Sequence, residues 1–271
     1  MSETITFERI ISSRFNFPRR IYRKLFTVFV RNYSSYKINN SEQDQIFEEF
    51  GFSRIDGLTK LNKILIQNFD ENFDENNDMY SEHLVLLASI SCLNQSFKNI
   101  LEIGTFDGKT ALILSELFED ANILTIDLPE TDGDFESTYS RHGLSQIFVK
   151  NRNKNLSNKR IKFIEANSIV LANTNEKFDL IWVDGAHGYP IASMDIINSY
   201  RLCNENGYVL VDDVWKKVDY SDKFYKSIAA YDSLMALKSS KLINDFYLIP
   251  KRLGVEFNLA WTKKYVGFFH K

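Results

Sequence analysis

From residue 81 onward the chain alternates short apolar runs with amphipathic stretches five times, and this alternation constrains its fold more than any other feature. The apolar runs are Asn99–Ile103, Asn122–Asp127, Ile161–Glu165, Phe178–Asp184 and Tyr208–Asp212. The fourth, FDLIWVD, is almost continuously apolar, as a strand buried on both faces of a sheet should be. Between the strands, Ala111, Leu114, Ser115 and Phe118 recur at the spacing of one helix face. A helix over about 138–150 is expected next. Ile191, Met194 and Ile197 mark a later helix that opens near Pro190 and ends before Asn206-Gly207. Phe224, Ile228, Tyr231 and Met235 mark another. Two late strands, Asp245–Ile249 and Tyr265–Phe269, finish the chain. Strands alternating with helices predict an α/β fold with a doubly wound, mostly parallel seven-stranded sheet. Such sheets bind ligands outside the carboxyl ends of their strands, where the strand order reverses.

Composition bounds what such a sheet serves. With 271 residues, 44% apolar and 25% charged, the chain is neither collagenous, wholly disordered nor an integral membrane protein. A net charge of −3 supplies no general basic face for phosphates, so no nucleic-acid partner is expected. The longest apolar run, about Leu84 to Leu93, falls well short of the roughly 20 residues that span a bilayer. The opening MSETITFERI has no apolar signal region, and Cys92 and Cys203 make no disulfide framework; a cytoplasmic location is expected. The first forty residues are basic and the next forty acidic, so residues 1–80 read as a helical N-terminal region and residues 81–271 as the main domain. Phe17–Arg31 reads as a basic amphipathic helix, with Ile21, Leu25 and Phe29 on one face. A lid or a contact between copies in a homo-oligomer is the favoured role, and a membrane-surface helix the other. Ser81 is a candidate helix cap, and Tyr80, Ser81 and Glu82 are candidates for covering the site.

The first strand runs into Glu102-Ile-Gly104-Thr105-Phe106-Asp-Gly108-Lys-Thr110. Gly104 permits a tight turn and close backbone approach, and the helix after it offers free N–H groups. The spacing is neither the G-x-G-x-x-G of dinucleotide enzymes nor a P-loop. The second strand ends in Asp127, whose carboxylate can accept both hydrogen bonds of a ribose diol. Taken singly, these are also what a turn glycine and a strand-end cap look like; together and in this order they favour an adenosine-type ligand.

Leu101–Thr110 followed by Thr125-Ile-Asp127 resembles the first two motifs of class I S-adenosylmethionine (SAM)-dependent methyltransferases, and the resemblance extends over residues 81–271. It implies a Rossmann-like methyltransferase fold whose last strand is antiparallel. It also implies that Gly104, Thr105, Phe106 and Gly108 line the methionine portion of SAM and that Glu102 supports its ammonium. Asp127 would hold the ribose, and Asn167 and Ser168 would lie against the adenine. Strand four ends in Asp184-Gly-Ala-His187 and strand five in Asp212-Asp213. These ends resemble the metal-assisted O-methyltransferases of catechol, caffeoyl-coenzyme A and macrolide sugars. That resemblance implies that Asp184, which also borders the coenzyme, joins Asp212 and Asp213 in binding a divalent cation, Mg2+ in particular.

The chemistry expected is methyl transfer to the hydroxyl of a small molecule, a sugar or nucleotide sugar favoured. A bound cation would lower the hydroxyl pKa. His187 would take the proton, imidazole ordinarily titrating near neutrality, with Asp184 beside it. Other readings remain open. Asp212-Asp213 can serve as a metal-free helix cap, the acids then holding an amine for N-methylation. His187 can simply bond its own loop. An NAD-dependent oxidoreductase is disfavoured by the glycine spacing. Trp215 can wall the acceptor pocket or pack. His83, His142 and His270 have no carboxylate in their motifs and read as structural or exposed.

Overall fold

β1 (Asn99–Ile103) pairs in parallel with both β2 (Asn122–Asp127) and β4 (Phe178–Val183), and this double pairing organises the sheet. The computed structural model describes residues 40–73, 82–133, 145–217, 227–251 and 264–271. The expected helix over Phe17–Arg31, together with Tyr80 and Ser81, lies outside the described residues. β2 continues in parallel to β3 (Ile161–Glu165), and β4 to β5 (Cys203–Val214). β7 (Tyr265–His270) then runs antiparallel to both β5 and β6 (Tyr247–Pro250). The order is β3-β2-β1-β4-β5-β7-β6, a mostly parallel seven-stranded sheet, as the alternation predicts. Strand order reverses between β1 and β4, which places the ligand crevice of a doubly wound sheet at their carboxyl ends.

Both faces of the central strands are buried, and successive residues divide between them. In β4, Leu180 and Trp182 join one core cluster, while Ile181 and Val183 join the other. On the first face lie α1 (Asn40–Glu49), α2 (Arg54–Phe69), α3 (Glu82–Ile90) and α4 (Lys109–Leu117). All nine residues of α3 are buried. A helix that is apolar around most of its circumference needs cover on every side, and α2 packs against α3 to provide it. Residues 40–73 therefore share the main core: Phe47, Phe52, Leu61, Ile64 and Leu65 are buried with Leu84–Ala88 and Ile100. The second face carries α6 (Ile191–Leu202) and α7 (Ala229–Ser239), packed on each other. α5 (Ser145–Asn155) packs on α4.

Two helix faces differ from the sequence expectation. In α6 the buried side is Ala192, Asp195, Ile196 and Ser199, and Ile197 is exposed. In α7 it is Ala230, Ser233, Leu234 and Leu237, and Met235 is exposed. Small residues allow these helices to approach the sheet and each other, so the alanine-containing stripe turns inward instead of the larger side chains. His83 stacks on Trp182 with ring centroids 4.7 Å apart, both inside the core.

Candidate active site

At the switch point the ends of β1 and β4 touch through their backbones. Gly104 has φ +100°, and a Cβ added there would lie 2.3 Å from the Asp184 carbonyl oxygen. Gly104 N–H donates to Ile126 O at 2.9 Å, and Asp184 N–H to Ile103 O at 2.8 Å. Glycine is thus required both for the conformation and for the approach. The turn that follows is tied to β2: Phe106, with φ +48°, donates its N–H to Asp127 Oδ2 at 2.7 Å, and Leu128 N–H donates to Asp127 Oδ1 at 2.8 Å. A carboxylate offers about four acceptor sites, so these two bonds orient Asp127 while its capacity exceeds them. Gly108, with φ +73°, opens α4, and Asp107 Oδ1 accepts from the Lys109 N–H of its first turn at 3.0 Å. The start of α4 therefore faces the turn with backbone N–H groups and a positive dipole end.

Beneath this turn Glu102 is fully buried. Thr125 Oγ1 donates to its Oε2 at 2.5 Å, and the Thr105 and Thr125 hydroxyls lie 2.6 Å apart. Burial raises the Glu102 pKa to about 8, against the hydrogen bond from Thr125. The group that would support a ligand ammonium is thus a buried acid below the turn. Asn167 follows β3, and its neighbour Ala166 donates to Asp127 O at 2.8 Å, which brings the two strand ends together. Asn167 Oδ1 accepts from Ile169 N–H at 3.1 Å and caps the short 3-10 helix Ser168–Asn173. Asp195 of α6 is buried, and burial raises its pKa to about 6, against a lowering influence of Ser168. Sequence reasoning missed Asp195 because an acid on the inner face of an amphipathic helix breaks the expected pattern.

A second cluster gathers around the ends of β4 and β5. His187 Nε2 lies 3.9 Å from Asp184 Oδ1, both partly exposed. Asp212 and Asp213 sit in a bulge: from Val211 to Val214 β5 advances three residues while its partner β7 advances two, from Gly267 to Tyr265. Successive strand residues ordinarily point to opposite faces. The bulge, with Asp213 at φ +50°, lets both carboxylates reach one group. That group is Lys251. Its Nζ is 2.6 Å from the Asp212 carboxylate and 3.0 Å from Asp213 Oδ1, and Lys264 Nζ bonds Asp213 Oδ2. Burial and the Asp212 carboxylate raise the Asp184 pKa well above the ordinary carboxylate range, against the pull of Lys251. For Asp213, burial acts upward, but Lys251 and Lys264 outweigh it and hold the pKa below that range. Burial acts to lower the Lys251 pKa, yet Asp212, Asp213 and Asp184 together raise it.

Asp184, Asp212 and Asp213 do converge, but as arranged they do not fit a divalent cation. The buried Lys251 and half-buried Lys264 ammonium groups already bond two of the three carboxylates and supply positive charge that a metal would bring. At an effective dielectric constant near 20, a dication roughly 4 Å from an ammonium is repelled by about 8 kcal/mol. Among the described residues no group of three or more His, Cys, Asp or Glu side chains could hold a metal ion. The three acids expected to bind Mg2+ are, in this arrangement, held by lysine ammonium groups. Neither lysine was a sequence candidate. The available signal was their placement, one directly after β6 and the other directly before β7. Glu82, a candidate for covering the site, is instead held by Arg54, with Nε 2.7 Å from Oε1. Trp215 is buried, and the Lys264 ammonium lies over its ring at 5.6 Å.

Residues 101–214 match the family model described as a methyltransferase domain. No curated protein matches the chain in sequence. Among solved structures, the chain is similar to spermidine synthase from Thermotoga maritima, at 17% identity and a TM-score of 0.48, over 73% of this chain and 60% of that one. The chain thus spans less than two thirds of that protein's length. It is also similar to the N-methyltransferase NodS from Bradyrhizobium japonicum WM9, at 14% identity and 0.48, over 73% of this chain and 99% of that one. A third is a putative caffeoyl-CoA O-methyltransferase from Staphylococcus aureus, at 15% identity and 0.48, over 92% and 98%.

Proposed function

We propose that the chain is a SAM-dependent methyltransferase that methylates the hydroxyl group of a small molecule, a sugar or nucleotide sugar favoured. The observation that carries this reading is the junction of Gly104, Asp127 and Asp184. A glycine turn, an oriented strand-end carboxylate and an acid beside a histidine adjoin one another at the reversal of strand order. The methyltransferase-domain match over residues 101–214 supports it. The donor set suits SAM chemically. Asp127 suits a ribose diol, the start of α4 a carboxylate, and the Asn167–Ser168 segment an adenine edge.

SAM, when bound, supplies a methyl group on a positive sulfonium. The chain's own work is placement and proton removal. Gly104 to Gly108 shape the turn against which the coenzyme lies, and Asp127 fixes its ribose end. His187 is exposed enough to reach an acceptor hydroxyl and takes its proton, and Asp184 orients the imidazole. Alignment of nucleophile and electrophile accounts for most of the rate. The N-methylating alternative needs the same acids to hold an amine, and Lys251 and Lys264 already bond two of them. Titration calorimetry tests the reading. SAM binds with one site per chain and NAD does not; binding of NAD without SAM would end it.

A further inference from the structure

Lys251 follows β6 directly, and its N–H donates to Lys264 O at 2.9 Å. The β6–β7 pairing therefore continues one step beyond Pro250 and Tyr265 and sets the two lysines side by side. Both ammonium groups turn towards the bulge at the end of β5. Lys251 is only 3% exposed, yet its Nζ contacts both Asp212 and Asp213. An ammonium has three donors, so two of those on Lys251 are committed to carboxylates. A flexible surface lysine does not sit this way; its position is fixed from two sides, by the hairpin register and by the bulge.

We propose that Lys251, assisted by Lys264, is a positioning residue that takes the place of a divalent cation in the acceptor site, and that methyl transfer by this chain is metal-independent. The inference rests on the methyltransferase reading for what the site does, and on the lysine–carboxylate contacts for how it is held. Lys251 draws Asp212 and Asp213 together behind Asp184, so that Asp184 faces His187. A dication drawn to Asp212 and Asp213 would sit beside the Lys251 ammonium that already bonds both, so like charges set ammonium and dication in competition for the same pair.

The test uses the full chain and Mn2+ as the probe, with bound metal read from loss of the free-ion paramagnetic resonance signal. The wild type is expected to show no Mn2+ site that Asp212→Asn removes. Lys251→Met frees the carboxylates and is expected to gain one Mn2+ per chain, lost again when Asp212→Asn is added. A wild-type site abolished by Asp212→Asn would overturn the proposal, as would a folded Lys251→Met that gains none. If Lys251→Met does not fold, the wild-type titration against Asp212→Asn decides alone. SAM binding, followed in parallel by calorimetry, reports separately on the methyltransferase reading. Its absence beside continued Mn2+ exclusion would remove that reading and leave the lysine assignment standing.

Discussion

Gly104 and Asp184 meet backbone to backbone: a single added carbon on Gly104 would fall 2.3 Å from the Asp184 carbonyl oxygen. The floor of the candidate site is therefore a contact between the strand that ends at the glycine turn and the strand that ends in Asp184. Gly104→Ala should act on both. Its positive φ disfavours any side chain by about 1–2 kcal/mol, and the clash with backbone adds roughly 1–3 kcal/mol as overpacking. The expected outcome is a loss of about 3 kcal/mol of stability in urea unfolding, with SAM binding weakened at least tenfold in calorimetry. A variant with wild-type stability would show that the two strand ends are not so close.

The Arg54–Glu82 pair makes a purely structural prediction. Both residues are almost fully buried, and Arg54 also reaches Asp44 at 3.1 Å. Removing one partner of a buried pair leaves the other charge without its compensation, at a cost of about 3–5 kcal/mol. Arg54→Met should lower the unfolding free energy read from urea denaturation by that amount, and adding Glu82→Gln should recover much of it. Equal stability of the single and double variants would mean that the pair does not hold α2 onto α3.

The carboxyl ends of the strands were legible because their chemistry lies within short stretches. Gly104, Asp127 and Asp184 each follow an apolar run directly, and a parallel sheet aligns all such ends along one rim. What surrounds them depends on register and was not legible. Nothing in the composition of β6 and β7 fixes how they pair, so the placement of Lys251 and Lys264 at their ends did not by itself set them beside Asp212 and Asp213. Three acids read alone called for a cation; the missing information was that the chain supplies ammonium groups from positions 39 and 51 residues away. Residues 40–73 read as part of a separate N-terminal region because their charge pattern differs. Their core role follows from α3, whose apolar surface exceeds what the sheet alone can cover.

Glu102 gives a pH prediction with a definite sign. Its folded pKa is raised from about 4.5 to about 8 by burial. The folded state therefore holds a proton that the unfolded chain releases across this window, and the stability this contributes is present below about 4.5 and lost as pH rises through about 8. Against Glu102→Gln, which carries no ionisable proton, the wild type should lose stability by at most about 1.4 kcal/mol per pH unit between those values. Urea unfolding of both proteins at several pH values reads the difference, in which contributions from Asp184 and Asp195 cancel. A pH-independent difference would mean that Glu102 stays ionised beneath the turn.

His187 separates coenzyme binding from chemistry. Its imidazole is partly exposed and lies 3.9 Å from Asp184, in the loop after β4 and apart in sequence from the turn that Gly104 and Asp127 define. Replacing it should leave the coenzyme's seat intact while removing the group that accepts the acceptor's proton. A general base contributes typically 10²–10⁴-fold to a rate. His187→Ala is therefore expected to bind SAM within about twofold of wild type and to transfer labelled methyl to a sugar-nucleotide acceptor at least about a hundredfold more slowly. His187→Lys, which restores a nitrogen base of different reach, should recover part of the rate at high pH. Undiminished transfer by His187→Ala would assign proton removal to Asp184 or to solvent, and weakened SAM binding would place the imidazole in the coenzyme's seat instead.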